Sequence, residues 1–134
     1  MSQDNVELVR RVNEAFDAKD MEALVAAHHP NVEIVVLRSE IEGPYRGHEG
    51  LRRMATEAFE ADWKARIDEI RDCGDRVLVL GRQGGTIRGV PPLGHLLAEV
   101  YEIDAGKVVR MQAFPTIEQA LEAAGLSADA HSSS

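Results

Sequence analysis

The sequence has a single cysteine, Cys73, which excludes an intramolecular disulfide and the paired-cysteine patterns of zinc sites. It has no stretch approaching the roughly 20 apolar residues that a membrane-spanning helix needs. It also has no long run of lysine or arginine, and its net charge is -8. Because nucleic acids and anionic membranes are polyanions, this charge argues against both as partners.

Several functional motifs are missing as well. The amino-terminal segment MSQDNVELVRR is charged and lacks the apolar core of a signal peptide. The chain contains no phosphate-binding G-x-x-x-x-G-K-[ST], no dinucleotide-binding G-x-G-x-x-G, no H-E-x-x-H and no G-x-S-x-G. We therefore expect a cytoplasmic protein without a metal or an organic cofactor.

What is present indicates one ordinary globular domain. The chain has 134 residues, of which 44% are hydrophobic and 28% charged. We predict a single domain over residues 1–126 and a polar, disordered tail over residues 127–134.

Local signals predict four helices. A helix should open at the capping box of Asp4 and stop near Ala18. The others are a short helix capped by Asp20, a helix from His48 to about Ala61, and one from Thr116 to Gly125. The segment SEIEGPYRG is predicted to be a loop.

The strands follow mostly in the second half of the sequence. Val32 to Arg38 is β-branched and strand-like. In WKARIDEIRD the alternation slips by one residue, which predicts a β-bulge near Asp68. RVLVL is apolar on both faces, and LLAEVYEIDAGKVVRMQAF is a hairpin. This order predicts an α+β fold in which a strongly curved antiparallel sheet wraps the helices as a cone with an interior.

Glu99 is the unusual residue of that hairpin. Strict alternation places it on one face with Leu97, Tyr101 and Ile103, where a carboxylate is unexpected. In an apolar pocket its pKa would rise, and it could act as an acid or a base. Alternatively, Glu99 pairs with Arg82 or Arg110 on a neighbouring strand, or reaches solvent at a sheet edge. The pattern alone leaves these possibilities open.

The histidines give weaker signals. His28 and His29 are adjacent, so on a helix they point about 100° apart and cannot chelate a metal together. They fit better at a helix end, where histidine suits the helix dipole. His95 lies on the same face as Glu99 and about 13 Å from it along the strand. It would reach a pocket mouth or the surface.

The segments YRGHEGLRR, DRVLVLGRQGG, YEIDAGKVVRMQAF and TIEQALEAAGL together resemble the SnoaL-like branch of the nuclear transport factor 2-like superfamily. The resemblance implies a cone-shaped α+β fold with an apolar pocket, commonly in a dimer formed through the outer sheet face. Members include polyketide cyclases, steroid isomerases, dehydratases, epoxide hydrolases and non-catalytic binding domains.

The hairpin is similar to the last hairpin of steroid isomerases. On that match Glu99 falls at the position of the protonated acid of their oxyanion hole. The position of their catalytic base falls on Ile34, and that of their oxyanion tyrosine falls on Val12. SnoaL-type cyclases use an aspartate base and a pocket histidine, for which Glu99 and His95 are the only approximate counterparts.

Two functions of different classes follow. The first is a cofactor-independent cyclase, isomerase or hydrolase that acts on a small, apolar or aromatic, oxygenated substrate through Glu99. The second is a non-catalytic module that binds such a ligand, with Glu99 as its polar anchor. We expect a homodimer through the outer sheet face. RVLVL is apolar on both sides, and the helices of this fold can cover only one of them. The residues expected to line the pocket are Val12, Phe16, Ile34, Val36, Leu97, Tyr101 and Met111.

Overall fold

The computed structural model describes residues 2–37, 39–85 and 93–126. Within them the helices are Ser2–Asp17 (α1), Met21–Ala27 (α2), Ser39–Glu42 (α3), Gly47–Glu60 (α4) and Ile117–Ala123 (α5). The strands are His28–Val35 (β1), Tyr45–Arg46 (β2), Lys64–Asp72 (β3), Arg76–Gly84 (β4), His95–Asp104 (β5) and Lys107–Ala113 (β6). None of the described helices is long and apolar enough to cross a membrane.

All six strands belong to one curved sheet, in the order β2-β1-β6-β5-β4-β3. The predicted α+β class is confirmed. The sheet is mixed rather than wholly antiparallel, because β1 pairs with β6 in parallel. Two helices and four strands, α3, β2, α4, β3, β4 and β5, separate β1 from β6 along the chain, so local patterns do not encode this pairing.

Most predicted boundaries are confirmed. The Asp20 carboxylate accepts a hydrogen bond from the Ala23 amide and caps α2. The Thr116 hydroxyl accepts one from Gln119 and caps α5. Ala105 and Gly106 both have positive φ in the turn between β5 and β6, as a tight hairpin turn requires. The first helix begins at Ser2, before the predicted capping box at Asp4.

Two predicted segments were wrong. β1 begins at His28 instead of Val32 and ends at Val35, because α2 passes directly into extended backbone at His28. Pro30 is tolerated there because the short β2 pairs only with Glu33 and Ile34. The segment predicted as a loop contains α3 and β2. The end of the first predicted strand, Arg38, lies outside the described residues, as does the predicted tail.

The bulge predicted near Asp68 is confirmed, since the register of β3 against β4 shifts between Ile67 and Glu69. Gly81 lies opposite this bulge. A β-carbon at position 81 would collide with the carbonyl oxygen of Arg66, so only glycine allows β3 to bend this closely over β4.

The sheet has two covered faces. The inner face packs against α1, α2 and α4 and forms the main core, which includes Val79, Leu97 and Ile103. The outer face carries Leu78, Leu80, Ala98 and Val100, which pack against α5. The apolar character of RVLVL on both sides is therefore satisfied within the chain. The expectation that helices cover only one side of RVLVL is therefore wrong, since helices cover both sides of β4.

Candidate functional site

Glu99 lies in the middle of β5, opposite Val79 of β4 and Ala113 of β6. Its side chain is on the inner face with Leu97 and Tyr101, as the alternation predicted. The Tyr101 hydroxyl donates a hydrogen bond to Glu99 Oε1 at 3.1 Å. Among the described residues, Glu99 Oε2 has no hydrogen-bond partner. The site therefore presents one fixed and one available carboxylate oxygen.

Neither arginine considered for Glu99 pairs with it. Arg110 bonds to Glu33, Glu102 and Gln112 on the outer face. Arg82 donates instead to the carbonyl oxygens of Leu93 and Gly94. The ion-pair interpretation is therefore wrong.

The surroundings of Glu99 change its acidity. Burial raises the pKa of Glu99 from an ordinary 4.5 to about 7, and the hydrogen bond from Tyr101 opposes that rise. Part of the residue nevertheless stays accessible, although Leu97 and Tyr101 beside it are buried. The carboxyl group is therefore largely, but not wholly, removed from bulk water.

Tyr101 remains neutral at all ordinary pH values. Burial and the neighbouring Glu99 raise the pKa of its hydroxyl well above the usual value. Tyr101 can therefore act only as a neutral hydrogen-bonding group. Glu99 is the member of the pair that gains and loses a proton.

Asn13 of α1 completes the polar group, and the sequence interpretation missed it. Its side chain lies near the Tyr101 hydroxyl and opposes the rise in the pKa of that group, while Nδ2 donates to the Val9 carbonyl oxygen at 2.9 Å. A signal was available, because Val9, Asn13 and Phe16 have the i, i+4, i+7 spacing of one helix face. An asparagine on that apolar stripe indicates a buried polar contact.

The residues predicted to line the pocket meet on the inner side of the sheet. Ile34, Leu97, Tyr101, Met111 and Val12 belong to the main core, and Phe16 and Val36 pack against it. Ile34 is only 1% exposed and is an apolar core residue.

Two clefts open elsewhere on the molecule. One has a volume of about 410 Å³ and lies between α1 and β3, where Asn13 forms part of its lining. The other, of about 590 Å³, lies beside α5 on the outer face and is lined by Val35, Leu37, Phe114 and neighbouring residues. The first cleft shares only Asn13 with the polar group, since its lining includes neither Tyr101 nor Glu99.

The histidines are accounted for by packing. His95 is exposed and stacks on Trp63, with 5.9 Å between ring centroids, rather than on Glu99. His28 caps α2, as predicted for a helix end, and its Nδ1 lies 2.6 Å from the Leu24 carbonyl oxygen. His48 Nε2 lies 2.8 Å from the carbonyl oxygen of His28. Burial lowers the pKa of His28, which favours the neutral ring.

No group of three or more histidine, cysteine, aspartate or glutamate side chains in the described part of the chain could hold a metal ion. The polar group around Glu99 consists of a carboxylic acid, a phenol and an amide beside apolar core residues. Such a set can donate hydrogen bonds to an oxygen atom and exchange one proton through Glu99.

Comparison with known proteins places this geometry in context. Residues 9–111 match the family model described as SnoaL-like domain. An NTF2-like protein of unknown function from Burkholderia pseudomallei has a TM-score of 0.73 and 22% identity, over 89% of this chain and 95% of that one. No functionally curated protein matches.

Two further structures are of proteins crystallised with small molecules. TerC, co-crystallised with polyporic acid, has a TM-score of 0.72 and 22% identity, over 91% of this chain and 98% of that one. A protein with a ketosteroid isomerase-like fold from Catenulispora acidiphila, in complex with trimethylamine, has a TM-score of 0.69 and 20% identity, over 92% and 95%. At such identities the likeness concerns the fold.

Proposed function

The chain belongs to the SnoaL-like domain family, and from that premise we propose that it is a cofactor-independent enzyme that moves a proton on a small, mostly apolar substrate carrying a carbonyl or hydroxyl group. Glu99 is the group that exchanges the proton. The observation that carries this proposal is the bond from the Tyr101 hydroxyl to Glu99 Oε1 on the inner face of the sheet. That bond orients the carboxylate through Oε1 and leaves Oε2 available to a substrate.

The proposed chemistry follows from the raised pKa of Glu99, which allows both its ionised and its protonated form near neutral pH. Near neutral pH a carboxyl group with a pKa of about 7 is partly ionised, which suits a general base. Glu99 Oε2 removes a proton from the carbon next to the substrate carbonyl, and the electron pair moves to the carbonyl oxygen. The protonated carboxyl then returns the proton to the same carbon, to another carbon or to that oxygen.

A second candidate function is ligand binding without catalysis, with Glu99 and Tyr101 anchoring an oxygen atom of the ligand. Its support is Ile34, an apolar side chain at the position corresponding to the base of steroid isomerases. TerC, a protein of similar fold, was co-crystallised with the small molecule polyporic acid. The two functions differ in whether bound ligand exchanges protons with solvent.

Proton exchange is measurable with 2-tetralone, an apolar bicyclic ketone with acidic hydrogens beside its carbonyl. In deuterated buffer the protein should accelerate deuterium incorporation at those carbons, followed by NMR. Glu99→Gln should lower the protein-catalysed rate by about a hundredfold or more, the usual contribution of general acid–base catalysis. The wild-type rate should rise with pH through about 7 and then level off, because the ionised carboxylate is the base.

The matched control is Glu102→Gln, which removes the same charge from the same strand on the outer face. It should leave the exchange rate unchanged. Binding of 2-tetralone without faster exchange in the wild type would support the binding module and refute the enzyme.

We also propose a homodimer through the part of the outer sheet face that α5 leaves uncovered, on β1 and β6. An ion-pair network is found there, with Arg110 Nε 2.9 Å from Glu33 Oε1. Next to this network is the groove lined by Leu37 and Phe114, and Leu37 is 51% exposed. A polar network beside an open apolar groove is a surface that a second copy would complete.

Substitution at Leu37 tests the dimer. Leu37→Asp should convert a dimer to a monomer in sedimentation equilibrium at micromolar concentration, because it places a charge in the groove. Ile41→Asp is the control, since Ile41 is 90% exposed on α3 and does not line the groove. A wild-type monomer under these conditions would contradict the proposal.

A further inference from the structure

The end of α2 and the start of β1 are held together by His28. The His28 amide donates to the Val25 carbonyl oxygen, and His28 Nδ1 lies 2.6 Å from the Leu24 carbonyl oxygen. Because a carbonyl oxygen only accepts, Nδ1 carries a proton in this bond. Lys107 Nζ donates to the next carbonyl oxygen, that of Ala26. One histidine and one lysine thus satisfy carbonyl groups that the end of a helix leaves without internal partners.

A second histidine attaches α4 to the same point. His48 Nε2 lies 2.8 Å from the carbonyl oxygen of His28, so this nitrogen carries the proton of the His48 ring. Gly47 begins α4 with a φ of 68°, and a β-carbon there would lie 3.2 Å from the Pro30 carbonyl oxygen. The amino end of α4 therefore lies directly against the start of β1. Two histidine rings join the three elements α2, β1 and α4.

The start of β1 has little other support from the sheet. His28 pairs with Val108 of β6, and the register is then irregular until Glu33. The other neighbour, β2, pairs with β1 only from Glu33 onward, and Pro30 has no amide hydrogen to donate. Residues 29–32 therefore have no aligned partner on either neighbouring strand in the described part of the chain. The bonds made by the two rings are a large share of what holds this segment in place.

A positive charge on His28 is unfavourable while these bonds are made. His28 is only 4% exposed, and its second ring nitrogen would have to carry the added proton without water. Burial lowers the pKa of His28, the bond to the Leu24 carbonyl oxygen opposes this change, and the charge of His48 adds to it. His28 therefore takes up a proton more readily when the segment opens to water.

No carboxylate among the described residues forms an ion pair with either ring. The charged groups on the surrounding elements are bound elsewhere or lie in solvent: Lys107 and Arg110 on β6, Arg46 on β2, Glu33 on β1, Glu22 on α2 and Glu49 on α4. The cost of protonating His28 in the closed form is therefore not offset by a neighbouring negative charge.

We propose that His28 and His48 form an acid-sensitive latch, which holds α2, β1 and α4 together while the rings are neutral and releases the start of β1 when His28 takes up a proton. β1 carries Ile34 to the inner face of the sheet beside Met111, so the opening loosens one wall of the main core. The latch is a conformational device separate from the proposed proton transfer at Glu99 and does not depend on it.

Hydrogen exchange of the His28 amide, followed by NMR, measures the opening. If the ring takes up its proton only in the open form, with the ordinary pKa of 6.5, opening becomes about tenfold more favourable between pH 7.5 and pH 5.5. The protection factor of this amide should fall by the same ratio, while the amides of β4 lose no protection.

His28→Asn is the test variant, because asparagine keeps a side-chain N–H at the same distance from the backbone but does not titrate. Its protection factor should change by less than about twofold over this pH range. His95→Gln is the matched control, since it removes an exposed histidine that stacks on Trp63, away from the latch. This variant should show the same tenfold loss as the wild type.

A loss of protection that is confined to the end of α2 and the start of β1, and that is absent from His28→Asn, supports the latch. No loss in the wild type, or the same loss in His28→Asn, overturns it. An equal loss in β4 also overturns it, because the whole fold would then be opening. NMR titration of the His28 ring in the wild type needs no variant, and a pKa of 6.5 or higher in the folded protein would overturn the latch as well.

Discussion

Leu51→Ala should lower the free energy of unfolding by about 2–5 kcal/mol, the usual cost of truncating a buried leucine. Leu51 is 1% exposed in α4 and packs in the main core between the helices and the inner sheet face. Its removal would leave a cavity where backbone elements hold their positions. Urea unfolding followed by circular dichroism measures the loss.

The neighbouring arginines are the controls. Arg52 and Arg53 are exposed on the same helix, so alanine there should be tolerated. Arg53 lies 5.1 Å from the centre of the Tyr45 ring, a contact worth about 0.5–1 kcal/mol when exposed. Phe59→Ala should cost clearly more than Arg53→Ala, because Phe59 packs edge-to-face on Phe16 at 5.5 Å. Equal losses at positions 53 and 59 would show that the apolar face of α4 is assigned incorrectly.

The residues on the inner face of the sheet could be predicted from the sequence because the alternation of side chains along a strand is a local property. Each residue of β5 follows its neighbour at a fixed geometry, so Glu99 was placed beside Leu97 and Tyr101 without knowledge of the fold. The slip of phase in β3 predicted the bulge for the same reason. The helix caps at Asp20 and Thr116 likewise depend on residues three positions apart.

What local patterns missed depends on contacts distant in sequence. The parallel pairing of β1 with β6 joins Ile34 to Met111, and no turn connects the two strands directly. The cover of the outer face by α5 is a tertiary contact of the same kind. The first strand was placed too late because two histidines and Pro30 have little strand propensity, although His28 pairs with Val108 of β6.

The candidate site, too, has one part that local patterns could predict and one part that depends on tertiary packing. The bond between Tyr101 and Glu99 was within reach of the sequence, since residues two apart on a strand share a face and Tyr101 has a hydroxyl. The interpretation treated Tyr101 only as a pocket or core side chain. The contribution of Asn13 required the packing of α1 over the sheet, which places residues 13 and 101 together.

Glu99→Gln should stabilise the protein more near pH 7.5 than near pH 4.5, by on the order of 2–3 kcal/mol. The pKa of Glu99 is about 7 in the folded protein, against 4.5 for an ordinary glutamate. Below the ordinary value both states hold the proton and the carboxyl carries no penalty. Between the two values the unfolded chain alone loses its proton, so stability falls as pH rises. Above about 7 both states are ionised and the penalty is constant.

Glutamine retains the shape and the acceptor oxygen for Tyr101 but never ionises, so the penalty disappears in the variant. Urea midpoints of both proteins at the two pH values measure it, and Glu102→Gln on the outer face is the control, where loss of a half-exposed ion pair should cost less than about 1 kcal/mol. A Glu99→Gln variant that is less stable near pH 7.5 would mean that a cation stabilises Glu99, which would remove the basis for proton transfer. An equal effect at both pH values would mean that water reaches the carboxylate freely. A gain in stability together with loss of tetralone exchange would identify Glu99 as an acid kept in an unfavourable surrounding for its chemistry.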